Sequence, residues 1–126
     1  MREIKFRAFR KYPDPEMLYF TLEDIIFLRK PIDIIQEYEG IRETFMQYTD
    51  LKDRNGKEIY EGDILHIEIS NNGKVIASDN EVVEYKDYKF GVVWGWHRDF
   101  IGLNGFYNAT FEVIGNIYKN RELAGD

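Results

Sequence analysis

Apolar and polar residues alternate from the start of the chain. Across Glu3 to Phe9, Ile4, Phe6 and Ala8 fall on one side and Lys5 and Arg7 on the other, the two-residue period of a half-buried strand with its charges on a solvated face. Tyr12-Pro13-Asp14-Pro15 interrupts regular structure, because each proline removes an amide donor and pushes its predecessor into an extended conformation. A short strand over Met17 to Phe20 follows. Thr21-Leu22-Glu23-Asp24 has the form of a helix start, with a capping hydroxyl and two acids in the first turn. Leu22, Ile25, Ile26 and Leu28 have rough helical spacing, so the pattern predicts one short helix over about 21–30, from Leu22 to Arg29, ended by Pro31. Ile32, Ile34 and Tyr38 fit a further strand, with a helical turn as the alternative.

Thr44 to Tyr48 reads as extended, and Met46 to Ile64 then concentrates the chain's punctuation. Asn55-Gly56 is a hairpin signal in which both central residues take positive φ, and Gly62 is a second such point. Asp63 to Ile69 alternates, with Leu65, Ile67 and Ile69 inward and His66 and Glu68 on the polar face. Ser70-Asn71-Asn72-Gly73 reads as a loop. Val75-Ile76 and Val82-Val83, with Tyr85, suggest strands broken at Ser78-Asp79-Asn80. Tyr88 to Trp96 continues the pattern, with Gly91 and Gly95 marking bulges or tight curvature. After a turn at Asn104-Gly105, Thr110 to Ile117 forms the last strand, and Asn120 to Leu123 forms a minimal C-terminal helical turn. The sum is a mainly β chain, a small curled antiparallel sheet or SH3-like barrel with one short helix, read as a single domain over residues 1–126.

Composition sharpens this picture. At 126 residues the chain is the length of one domain, and its 16% aromatic content, from 9 Tyr, 9 Phe and 2 Trp, favours strands. A net charge of −6 disfavours non-specific nucleic-acid binding, although Lys5, Arg7, Arg10 and Lys11 form a basic cluster. The absence of cysteine removes disulfides, thiolate nucleophiles and cysteine-based zinc sites, and it suits a reducing cytoplasm. The charged N-terminus lacks the apolar run of a signal peptide, and nowhere does the chain reach the roughly 20 consecutive apolar residues of a membrane helix.

The candidate chemistry is sparse. Asp50, Asp53, Glu58, Glu61 and Asp63 invite a carboxylate site. Placing Gly56 sixth in a calcium loop puts Leu51 first and Gly62 twelfth, where neither can ligate, so the expected reading is a solvated turn neutralised by Lys52, Arg54 and Lys57. On that reading Gly62→Val costs more than about 1 kcal/mol and Asp53→Asn almost nothing. His66 reads as exposed. His97, surrounded in sequence by Trp94, Trp96, Arg98 and Asp99, is the one residue that invites a general base, with Asp63 and Arg98 as distant partners. The common hydrolase, phosphate-transfer, dinucleotide and metalloprotease motifs are absent, and no metal or cofactor is expected. Trp94, Trp96, Phe100, Phe106 and Tyr107 can fill a small barrel or stack bases, and Trp94, Trp96, His97, Arg98 and Phe100 are the candidate binding surface.

The run Gln47-Tyr48-Thr49-Asp50-Leu51-Lys52-Asp53-Arg54-Asn55-Gly56-Lys57-Glu58-Ile59-Tyr60-Glu61-Gly62-Asp63-Ile64 resembles the signature of the YopX family of phage and prophage proteins. Arg2 to Phe9 resembles that family's opening strand and Phe111 to Asn120 its closing one. The chain departs where the family usually has Gly (here Asp50), Trp-Asp (Phe9-Arg10) and Pro (Arg121). A Gly at position 50 implies positive φ, which Asp tolerates with some strain. The resemblance implies a mainly β, barrel-like fold in phage or prophage genomes, with no established activity. It makes Asn55, Gly56, Gly62 and Asp63 signature turn residues. The expectation is a non-enzymatic accessory protein of the host bacterial cytoplasm, a homo-oligomer working by protein contact. Single-stranded nucleic-acid binding is the alternative, and an enzyme built on His97 ranks third.

Overall fold

The computed structural model describes residues 3–12, 14–26 and 44–125. It is mainly β, with antiparallel strands and a few short helical turns. The residues fall into two compact units, Met1–Asp50 and Leu51–Asp126.

In the first unit the predicted opening strand is β1 (Lys5–Arg10), followed by β2 (Glu16–Thr21) and, after residues outside the description, β3 (Met46–Lys52). β1 pairs with β2 from Lys5 opposite Thr21 to Arg10 opposite Glu16, and with β3 at Phe6–Gln47 and Arg7–Met46. Ala8 and Phe20 form the core, with Leu18 and Phe45 packed against them. Helix α1 (Leu22–Ile26) begins as the sequence predicts. The Thr21 N–H donates to Asp24 Oδ2 at 2.9 Å and the Asp24 N–H to Thr21 Oγ1 at 3.2 Å, a reciprocal cap. The rest of the predicted helix, residues 27–30, and the predicted strand at 31–38 lie outside the described residues.

The solvated basic face expected on β1 does not form. Arg7 is only 4% exposed. Arg10 is ion-paired with Glu16. Lys5 lies 3.4 Å from Glu3 and 4.8 Å from the centre of the Tyr48 ring. Asp50 has the positive φ implied by the family's usual glycine, at 68°, and its Oδ1 accepts the Glu3 N–H at 3.2 Å.

The second unit contains β4 (Glu58–Tyr60), β5 (Asp63–Asn71), β6 (Lys74–Val82), β7 (Glu84–Lys86), β8 (Lys89–Trp94), β9 (Asp99–Gly102) and β10 (Ala109–Asn116). Two three-stranded sheets, ordered β10-β5-β6 and β7-β8-β9, are joined where Val83 alone separates β6 from β7. At that corner the Val83 N–H donates to the Asp63 carbonyl at 2.8 Å, and the Gly62 N–H donates to the Val83 carbonyl at 2.9 Å. Ile59, Leu65, Ile67, Val83, Val92 and Leu103 fill the space between the sheets, so the unit is a curled antiparallel half-barrel.

Two expectations change here. The break at Ser78-Asp79-Asn80 is absent, because these residues pair with Glu68, Ile67 and His66 of β5, and polar side chains suit an edge strand open to water. The Ser70–Gly73 loop contracts to a two-residue turn, Asn72-Gly73, between paired Asn71 and Lys74. Of the apolar residues in the signature, Tyr48, Ile59, Tyr60 and Ile64 are buried, whereas Leu51 is 40% exposed.

Candidate functional site

The signature turn is built around a carboxylate. Asp53 Oδ1 accepts the N–H groups of Asn55 at 2.8 Å and Lys57 at 2.9 Å, and Oδ2 accepts that of Val113 at 2.9 Å. The Gly56 N–H donates to the Asp53 carbonyl at 3.0 Å, and the Asp53 N–H to the Lys57 carbonyl at 2.8 Å. Gly56 has φ 82° and Asn55 is not in the left-handed region. The turn is therefore a longer loop with one left-handed residue, not the two-residue form with both central φ positive.

Asp53 is 8% exposed, so the expected solvated acid is instead a buried bracket. Burial alone would raise its pKa. The amides of Val113, Lys57 and Asn55, with the Lys57 charge, more than offset this and hold the carboxyl below its usual 3.8. With the Arg54 N–H donating to the Phe111 carbonyl at 2.9 Å, this loop closes the outer edge of β10.

Gly62 and Asp63 form the second signature turn. Gly62 has φ 87° and its carbonyl accepts the Ile117 N–H at 3.0 Å. Asp63, 2% exposed, accepts the Tyr60 N–H at 2.7 Å. Both acids act as backbone brackets. The Asp-x-Asn-Gly spacing at Asp53 could have signalled this, since such side chains habitually bond amides two residues on.

The candidate surface divides in two. Trp94 points inward, its ring 5.4 Å from Phe106 and nearly perpendicular to it, and Phe106 makes the same kind of contact with Phe111 at 5.7 Å. Trp96 is 100% exposed in the turn between β8 and β9, beside exposed His97. Arg98, at φ 54°, reaches back from this turn to Glu81 of β6 with a forked pair of hydrogen bonds at 3.2 and 3.3 Å. Burial raises the Glu81 pKa, and Arg98 opposes that shift. Phe100 sits opposite Val93, with the ammonium groups of Lys86 and Lys89 at 5.0 and 5.9 Å from its ring centre. Sequence reasoning missed these two lysines because they belong to different strands. Tyr107 is exposed, apart from the Phe106 stack.

His66 is half-buried, not fully exposed. Its Nδ1 lies 2.8 Å from Asn80 Oδ1 and its Nε2 lies 3.1 Å from Glu68. Because Asn80 Nδ2 donates to the Leu123 carbonyl at 3.0 Å, the amide oxygen must face His66, so both ring nitrogens meet acceptors. The hydrogen bonds to Asn80 and Glu68 raise the His66 pKa above 6.5. Burial opposes this, and the charges of Glu68 and Glu112 reinforce it.

Of the three residues that the sequence suggested for a catalytic group, Asp63 is buried in its turn, Arg98 is hydrogen-bonded to Glu81 and His97 is exposed. Among the described residues no group of three or more His, Cys, Asp or Glu is placed to hold a metal ion, and no helix is long and apolar enough to cross a membrane.

These features define a mainly β protein whose distinctive loops serve to close sheet edges and corners. The YopX protein family pattern matches residues 5–124, and the chain belongs to that family. Its fold is similar to the crystal structure of protein EF1440 from Enterococcus faecalis, with 22% identity and a TM-score of 0.54 over 99% of this chain and 100% of that one. It is also similar to the crystal structure of yopX from Bacillus subtilis, with 24% identity and a TM-score of 0.52 over 96% of this chain and 77% of that one. No curated protein matches the chain.

Proposed function

We propose that this YopX-family chain is a non-enzymatic accessory protein of phage or prophage origin that acts in the bacterial cytoplasm by protein contact and associates with itself. The observation that carries the reading is a contrast between two sheet edges. The outer edge of β10 is closed by Asp53 and Arg54, whereas β6 stands at the other edge of the same sheet with Val75 and Ile76 exposed. The commitment of Asp63 to the Tyr60 amide and of Arg98 to Glu81 supports a non-catalytic role. Sedimentation at micromolar concentration tests the claim. A concentration-dependent dimer is expected, and a monomer throughout overturns it.

A second reading, binding of single-stranded nucleic acid, is favoured by Phe100 with Lys86 and Lys89 over its ring. It no longer draws on Arg7, which is buried, or on Trp94 and Phe106, which are partly buried and packed against the core. Titration of a labelled single strand at low salt decides it, because binding that fails there has no electrostatic or stacking contribution left to defend.

A further inference from the structure

The β6 edge is not open along its whole length. At Asn80 the backbone carbonyl accepts the Gly125 N–H at 2.6 Å, while the side-chain amide donates to the Leu123 carbonyl at 3.0 Å. Residues Leu123–Gly125 therefore lie against one end of the strand, and Lys74–Ser78 form the exposed remainder. Gly125 fits tightly, since a Cβ there would lie 2.6 Å from Asp79 Oδ1 and 2.8 Å from the Asn80 carbonyl.

The side chains along β6 are polarised. Lys74 marks one end and exposed Asp79 the other, and Val75, Ile76 and Ala77 lie between without charge. A second β6 laid antiparallel on this edge sets the Lys74 end of each copy against the acidic end of the other. A parallel strand would align like charges. The edge is thus complementary to itself in the one orientation a two-fold axis allows.

Resting on the self-association reading above, we propose that Leu123–Gly125 is a displaceable guard on the β6 edge and that the strand displacing it is β6 of a second copy, paired antiparallel about a two-fold axis. The tail and the incoming strand compete for the Asn80 carbonyl. His66 keeps the Asn80 amide turned toward Leu123, so the guard is fixed by side chain as well as backbone. Removing the guard lengthens the pairing available to the partner.

The experiment compares the dimer dissociation constant of the full chain with those of Gly125→Ala and Ser78→Pro by sedimentation. Gly125→Ala forces the tail from Asp79 and Asn80 without touching the core, and the expected result is a dimer about five- to tenfold tighter, the effect of one or so hydrogen bonds no longer displaced. Asn80 presents its backbone outward and strand geometry repeats every two residues, so Ser78 presents its N–H outward as well. Proline there removes the donor a partner strand needs and keeps the pairing to β5, and it is expected to abolish the dimer in either background. A dimer unaltered by Gly125→Ala but lost with Ser78→Pro overturns the guard and leaves self-association standing. A dimer insensitive to Ser78→Pro places association elsewhere and overturns the inference. A full chain and a Gly125→Ala variant that both stay monomeric overturn the self-association reading together with the guard.

Discussion

Asp53 Oδ2 accepts the backbone N–H of Val113 at 2.9 Å, across 60 residues of sequence. Through this contact the first signature turn also holds the last strand, which gives the acid a role beyond its own loop.

Asp53→Asn should therefore destabilise the protein measurably. An asparagine can keep its oxygen on the Asn55 and Lys57 amides, but its NH2 group then faces the Val113 N–H, donor against donor. The expected loss is about 1–3 kcal/mol, read as a lower denaturation midpoint at unchanged slope. The sign with pH follows from the depressed carboxyl. Its contribution is complete above the unfolded value of 3.8 and is lost as pH falls below that through the folded value. The variant should lose that part of the acid dependence, and a variant as stable as the parent would show that the three amides do not depend on the charge.

Gly62→Val should cost more than about 1 kcal/mol, because a β-branched residue is strained at φ 87°. Both backbone groups of Gly62 are also bonded, to Val83 and Ile117, so the turn cannot relax without releasing the corner or the end of β10. Thermal unfolding of Gly62→Val beside Gly62→Asn checks the cause, since asparagine tolerates this region and should lose less.

The two tryptophans should separate cleanly. Trp94→Ala removes a ring that meets Phe106 edge-on and packs against the core and should cost about 2–4 kcal/mol, whereas Trp96→Ala should fall within about 0.5 kcal/mol of the parent. Fluorescence gives a second check. Emission should shift to the red on unfolding in Trp96→Phe, which retains Trp94, and stay nearly constant in Trp94→Phe.

His66 should make stability fall on the alkaline side. Its pKa is raised in the fold, so its contribution is fully present below the unfolded value of 6.5 and is lost as pH rises through the folded value. The ring is about one-third exposed, so the effect is screened and modest. His66→Gln should flatten the pH dependence of the melting temperature between neutral and mildly alkaline conditions, and an unchanged slope would rule the residue out.

Much of the β architecture was legible in the sequence because local alternation and turn chemistry report directly on strands. Thr21 capped its helix, Gly62 took positive φ, and the residue standing for the family's usual glycine, Asp50, followed it. What stayed hidden depended on partners distant in sequence. Arg7 alternates like a surface residue, yet the fold buries it. Asp53 and Asp63 look like solvated acids until distant or turned-back amides are placed on them. Ser78 to Asn80 are loop formers by composition, but cross-strand pairing with β5 overrides that preference. Trp94 and Trp96 differ by two positions and by the whole distinction between core and solvent, because a strand ends at the first and a turn holds the second.

The Asp53–Lys57 loop also limits how this chain can vary in length. Its side chains reach solvent and its composition resembles a site where extra residues are absorbed at no loss, as at the Asp87-Tyr88 tip. Its main chain and one carboxylate, however, complete the hydrogen bonding of β10. An insertion between Asp53 and Lys57 would leave Val113 and Phe111 facing water with their partners displaced, so a change in length that the Asp87-Tyr88 tip can absorb is closed to this loop.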